Sequence, residues 1–240
     1  ELDEWWRRTP ARLETATVRR WRAQLTTRGV SQSVAAKSYR LLRAILNTAV
    51  KEDELIRVNP CRIRGADREE SKERPVLTMA QVFQLSELMP PRYRALILLT
   101  TFGCLRWGEA IAVQVRDLDV VTGSVRVRHA FSERKGKGLV LGPRAALRTV
   151  SLPPALLPVL REHLDRYVPG GDPEAFVFTG PSKRRPPLRR NNFRKLVGWS
   201  DAVAAVGVTD LHFHDLRHTG NTFAARTGAS LGAELAAMRV

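Results

Sequence analysis

Between Ile63 and Pro75 the chain reads IRGADREESKERP, a stretch almost without apolar side chains that ends in a proline. Such a segment has no face to bury, and its last residue interrupts helix and sheet alike. A single core cannot run through it. The chain is therefore expected to form two bodies, residues 1–65 and 76–240, joined by a linker over 66–75 with its break near Lys72. The whole has 240 residues, 43% of them apolar, which is enough for one large or two modest cores.

The first body reads as helical. From Arg12 to Arg28, Val18, Trp21 and Leu25 recur at helical spacing, and Gly29 is a natural stop. A second helix is expected from Ser31, with Leu41, Leu42, Ile45, Leu46, Ala49 and Val50 on a packing face and Lys37, Arg40 and Arg43 on another. Those three cations form either an ordinary solvated face or a phosphate-contacting one.

In the second body, LTMAQ places Thr78 as a helix cap with Gln81 three residues on, the spacing of a capping box, and PPRYRALILLTTFG opens the next helix on prolines. GSVRVRHAF alternates apolar and polar residues, LRTVSLP is a second strand-like run, and ERKGKG between them is turn material. PALLPVLREHLDRY follows as an amphipathic helix, PSKRRPPLRR as a basic loop and NNFRKLVGWSDAVAAVG as one more helix. The fold class expected is mainly α with a small antiparallel sheet, a helical N-terminal domain preceding an α+β domain.

Forty Lys and Arg against 24 Asp and Glu leave a net charge of +16. The partner this implies is a polyanion. No apolar run approaches the ~18 residues of a membrane span, and no basic head precedes a signal-peptide core, so nucleic acid is expected and a membrane is not. The two cysteines, Cys61 and Cys104, are far apart and lack metal-ligand neighbours, which fits an intracellular setting without a disulfide framework. The chain begins ELDEWW with no initiator Met and is read as lacking its natural start.

Chemistry concentrates in HFHDLRHTG, residues 212–220. A helix is expected from about His214 to Gly228, and on it His214 and Arg217, three apart, share a face. His214 and His218 have the four-residue spacing of zinc helices, but no Glu lies between them and Arg217 on the same turn would repel a dication; no metal is expected. His212 and His218 read as polar residues at a helix end. His214 with Arg217 suits a phosphate, since arginine binds phosphate oxygens through a fork and histidine exchanges a proton near neutral pH. A partner stands in TFGCLRWGEAIAVQVRDLD: Arg106, where one helix ends and another begins, with Glu109 three residues on to hold its guanidinium.

GCLRWGEAIAVQVRDLD taken together with HDLRHTGNT resembles the two signature boxes of the tyrosine recombinases, the phage integrase family. Both boxes occur in order, and a hairpin between them and a helical domain before them agree. The resemblance implies a DNA clamp made of a helical core-binding domain and a catalytic domain, acting on a double-stranded attachment site. Arg106 and Arg217 would hold the scissile phosphate, His214 would assist proton transfer, and Glu109 and Asp215 would support them. A tyrosine would attack, and the 3′-phosphotyrosyl bond would store the energy of the broken linkage, so that neither metal nor ATP is required. Lys37, Arg40, Arg43, Arg144, Arg148, Lys183 and Arg184 are the expected DNA contacts. Family members act as homotetramers; a bacterial cytoplasmic, nucleoid-associated protein is implied.

The chain departs from the family in three places. Gly142 or Pro143 stands where the hairpin's catalytic lysine is expected, leaving Lys135 and Lys137 as alternatives, Lys137 preferred. No second His or Trp in a Gly-His pair follows the HxxR box. No tyrosine follows Arg217, the three being Tyr39, Tyr93 and Tyr167. Two explanations stand: a truncated recombinase whose nucleophile lies beyond Val240, or a degenerate integrase that binds DNA without cutting it.

Overall fold

Gly29 stands at the end of the first helix among the described residues. Helix α1 (Thr15–Thr27) is followed by Gly29 at φ +75°, and Ser31, whose hydroxyl accepts from the Val34 amide, then caps α2 (Gln32–Lys51). This computed structural model describes residues 13–69, 73–168 and 170–226. The chain divides into two units at Glu73/Arg74.

In the first unit Val18 of α1 is buried with Tyr39, Leu42 and Leu46 of α2, and Cys61 and Ala66 close the cluster. The buried stripe of α2 runs through Ala35, Tyr39, Leu42 and Leu46, alternating steps of four and three. Leu41 and Ile45, expected on that face, are instead 64% and 43% exposed. Each sits one residue, about 100° of rotation, off the stripe.

Residues 66–69, expected as linker, pack onto the first unit. Ala66 is buried, its carbonyl accepts from Arg22 Nε at 3.2 Å, and the Ile63 amide donates to the Tyr39 hydroxyl at 2.9 Å. Glu69 accepts from Ser33 at 2.6 Å and pairs with Arg40 and Lys37. The acidic side chains of this polar stretch find the cationic face of α2, so low hydrophobicity does not leave them unattached. Residues 70–72 lie outside the described ones.

The second unit opens with α3 (Met79–Glu87), capped by both bonds of the Thr78–Gln81 box at 2.9 and 3.2 Å. Helix α4 (Pro91–Phe102) starts with Pro91 in its first turn and is buried from Ala95 to Phe102, the central rod of the unit. A short α5 (Trp107–Ala110) and a 3₁₀ turn (Val115–Asp117) lead to the sheet. Strands β1 (Leu118–Asp119), β2 (Ser124–Arg134) and β3 (Gly138–Ser151) are antiparallel in the order β1-β2-β3. The hairpin is longer than the two short runs expected. Ser124–Val127 pair with Arg148–Ser151 and His129–Arg134 with Gly138–Pro143, so between the two ladders Arg128 alone faces residues 144–147, a wide bulge.

After a 3₁₀ turn come α6 (Leu157–Tyr167), α7 (Arg190–Leu196), α8 (Trp199–Ala205) and α9 (Phe213–Arg226). The single helix expected over NNFRKLVGWSDAVAAVG is two, because Gly198 takes a left-handed φ of +59° that the intrahelical ladder cannot pass through. Gly228, expected to close α9, and the residues to Val240 lie outside the described ones. Helix α9 rests on α4 with backbone nearly touching backbone: a Cβ at Gly220 would stand 1.9 Å from the Thr101 carbonyl oxygen. The architecture is mainly α with a small antiparallel sheet, and among the described residues no helix is long and apolar enough to cross a membrane.

Candidate active site

The site begins where α4 turns into α5. Cys104 adopts φ +48°, a conformation that side chains with a Cβ seldom take. Its carbonyl accepts a hydrogen bond from the Arg217 guanidinium, and two residues later Arg106 caps α5. The Arg106 amide donates to Glu109 at 3.0 Å and its guanidinium at 3.3 Å. From β3, Arg148 donates a fork to both Glu109 oxygens at 3.2 and 2.6 Å, and Arg144, on the bulge, lies 3.2 Å from one of them.

Glu109 is 1% exposed, so three guanidinium groups converge on one buried carboxylate. Burial alone would raise its pKa. The Arg148 fork, the Arg106 amide and the charges of Arg148 and Arg144 outweigh it and hold the group down to about 2. Burial pulls the Arg217 pKa downward, and the neighbouring Arg106 adds to that pull. Four arginines against one carboxylate leave the cluster short of negative charge, a deficit that an anion would fill. Arg148 is committed to Glu109, at 18% exposure, whereas Arg106, at 52%, presents its head to solvent.

Helix α9 brings the second half of the site. Trp107, next to Arg106, meets Phe213, next to His214, edge-on at 4.6 Å, and Phe193 lies 5.1 and 5.6 Å from the two rings. Trp199 extends this floor and donates its indole N–H to the Leu211 carbonyl at 3.0 Å. The aromatic floor ties the start of α5 to the start of α9. Burial first, then the charge of Arg217, with Arg190 and Arg106 adding, holds the His214 pKa below its ordinary value against the opposing pull of Asp215. A neutral imidazole at pH 7 can accept a proton, and forked cations beside it can hold a tetrahedral oxyanion.

The structure thus gathers Arg106, Glu109, Arg144, Arg148, His214 and Arg217. Asp215, expected to support the same cluster, is buried and bonded to Arg74 and to the His212 amide. Lys137 sits exposed in the hairpin turn, about 20 Å of strand from Arg144. Lys183 and Arg184 are exposed in the basic loop. In the first unit Lys37 and Arg40 pair with Glu69, and Arg43 pairs with Asp67. Sequence reading missed Arg74, Arg190, the Cys104 carbonyl and the aromatic floor. For the last there was a signal: each of the two motifs sets an aromatic residue beside its functional one, RW and FH.

Residues 75–233 match the Phage integrase family. The chain is 39% identical over 221 residues to a putative prophage phiRv2 integrase of Mycobacterium tuberculosis (90% of this chain, 57% of that protein). It is 34% identical over 222 residues to an integrase of Mycobacterium phage L5, again covering 90% and 57%. Among solved structures, the Tn1549 transposon integrase in complex with a circular intermediate DNA superposes with a TM-score of 0.79 at 18% identity, over 95% of this chain and 78% of that one. A lambda integrase dimer bound to a COC′ core site gives 0.61 at 16%, over 96% and 79%. The chain spans 57% of the length of the first two relatives. With a family match over most of its length and a site assembled from both of its motif segments, the chain belongs to the phage integrase family.

Proposed function

We propose that this chain is the DNA-clamping and phosphate-activating part of a site-specific recombinase acting on double-stranded DNA. The observation that carries the reading is the buried Glu109 with three arginines on it and Arg217 beside them: a preorganised cationic cradle whose charge exceeds its own counter-ion. Arg106 and Arg217 bind the non-bridging oxygens of the scissile phosphate and stabilise the charge that grows on them in a pentacoordinate transition state. His214, neutral, takes or relays the proton of the attacking hydroxyl. Arg148 keeps Glu109 in place and Glu109 keeps Arg106 in place.

The nucleophile of this reading is a tyrosine that forms a 3′-phosphotyrosyl bond, and it comes from outside the described residues. Tyr93 is buried with its hydroxyl on the Thr179 carbonyl, Tyr167 packs beside His163 between Arg92 and Arg166, and Tyr39 is buried in the first unit. Two compact units and a net charge of +16 suit a clamp around duplex DNA, with a homotetramer on two duplexes as the working assembly and the bacterial nucleoid as its place. A second reading is a DNA-binding protein without strand cleavage, and the engagement of Tyr39, Tyr93 and Tyr167 elsewhere among the described residues speaks for it.

The test uses duplexes selected by binding from a random-sequence pool and the protein expressed from its source reading frame. Arg217→Ala is expected to remove the covalent protein–DNA adduct seen on a denaturing gel while duplex affinity changes by no more than a few-fold. An adduct that survives Arg217→Ala refutes the site. A parent protein that binds and forms no adduct supports the second reading.

A further inference from the structure

The second unit begins with a strap. Arg74, its first residue, donates Nε to Asp215 Oδ1 at 3.0 Å and Nη2 to Oδ2 at 2.6 Å, a fork on a carboxylate that is 3% exposed. The same Nη2 donates to the Asp210 carbonyl at 3.3 Å and touches His212 Nδ1. Three residues on, the amide of buried Leu77 donates to Thr219 Oγ1 at 3.2 Å, one turn further along α9. Residues 74–77 therefore run beside α9 in the same direction and are fastened to it on both sides of Arg217. Asp215 also accepts the His212 amide at 2.6 Å and so closes the first turn of α9, just after a left-handed corner at Asp210 with φ +58°. The residues matching the family begin at 75, so Arg74 lies outside them.

We propose that Arg74 is a positioning residue for the phosphate site: through Asp215 it fixes the rotation and axial position of the first turns of α9, and with them His214 and Arg217. The inference rests on reading Arg106, His214 and Arg217 as that site. Its physical basis is the cost of the alternative. Without Arg74 the buried Asp215 keeps its amide bond but loses its counter-ion, and a buried charge without a partner is relieved by shifting the helix that carries it. The charged groups facing His214 are Arg217, Asp215, Arg190 and Arg106. Removing Arg74 strips Asp215 of its counter-ion, so that the carboxylate pulls harder on that imidazole against Arg217, Arg190 and Arg106.

The experiment follows the His214 ring by NMR in the 240-residue chain, titrating with pH and with inorganic phosphate. In the parent chain phosphate moves the His214 signals to saturation, and Arg217→Ala abolishes the response. Arg74→Ala is expected to weaken phosphate about tenfold, the scale of one charge-assisted hydrogen bond, and to move the His214 titration upward. Arg74→Lys, keeping the charge without the fork, is expected to restore the titration and only part of the affinity. If Arg217→Ala responds to phosphate like the parent, the site reading itself fails. If Arg217→Ala fails to respond while the Arg74 variants match the parent in both titrations, the site stands and the strap is refuted. Should Arg74→Ala not fold, Arg74→Lys and Arg74→Gln decide by the same two readouts.

Discussion

Gly220→Ala tests the packing that holds the site together. The added Cβ would lie 1.9 Å from the Thr101 carbonyl oxygen and 3.0 Å from both the Thr101 carbonyl carbon and Cys104 Sγ. Carbon and oxygen in non-bonded contact keep roughly 3.3 Å apart, so α9 must withdraw from α4 by more than about 1 Å. Overpacking a core costs about 1–3 kcal/mol, and here the obstacle is backbone with no rotamer to turn, which puts the cost near the upper end. Against it stands the better helix propensity of alanine, about 1 kcal/mol. Packing wins, and a net loss of about 2 kcal/mol is expected. With a urea slope of about 1–3 kcal/mol per molar, that lowers the denaturation midpoint by on the order of 1 M. Function should fall further than stability, because Arg217 reaches the Cys104 carbonyl across the same contact, and an ångström of misplacement can cost about a hundredfold in rate. Gly170→Ala, where a Cβ would meet nothing within 4 Å, is the control and should be neutral. A Gly220→Ala chain unfolding within about 0.5 kcal/mol of the parent, the range of an inert surface change, would refute the backbone contact.

Two other substitutions probe the same cluster. At Gly108 a Cβ would stand 2.2 Å from the Phe131 carbonyl oxygen, so Gly108→Ala should lift β2 from α5 and cost about 2 kcal/mol in urea unfolding. Glu109→Gln should remove a pH-dependent contribution. The folded-state pKa of Glu109 is depressed from 4.5 to about 2, so its stabilisation, roughly 3 kcal/mol, is complete above the unfolded pKa and is lost as pH falls through about 2. The stability gap between parent and Glu109→Gln in urea should therefore be wide at pH 7 and shrink steadily between pH 4.5 and 2. A gap that is constant across that window would contradict the buried, triply paired carboxylate.

What could be read before the fold was known was local. The Thr78–Gln81 box, Pro91 in the first turn of α4 and the shared face of His214 and Arg217 are all spacings of three or four residues, or one residue type at a terminus, and the chain writes these directly. Leu41 and Ile45 misled because a run of apolar residues marks a wide stripe, and only the partner surface selects which part of it is buried. A single glycine such as Gly198 is compatible with a helix until its φ is known. Two of the longer-range contacts of the site had no sequence signature. Arg148 meets Glu109 across 39 positions and Arg74 meets Asp215 across 141. Nothing in Cys104 announces that its carbonyl, turned by a left-handed backbone, is what Arg217 binds.

The bulge opposite Arg128 bears on how the hairpin can vary. It divides the hairpin into a near ladder that holds Arg148 in register with Val127 and a far ladder that ends at the turn of Lys135 to Lys137. A slip of one residue normally turns every side chain of a strand over, but slack between two ladders absorbs such a slip before it reaches the near one. The outer arm is thus a part whose length and sequence are open to change, while the guanidinium that steadies Glu109 stays in its place.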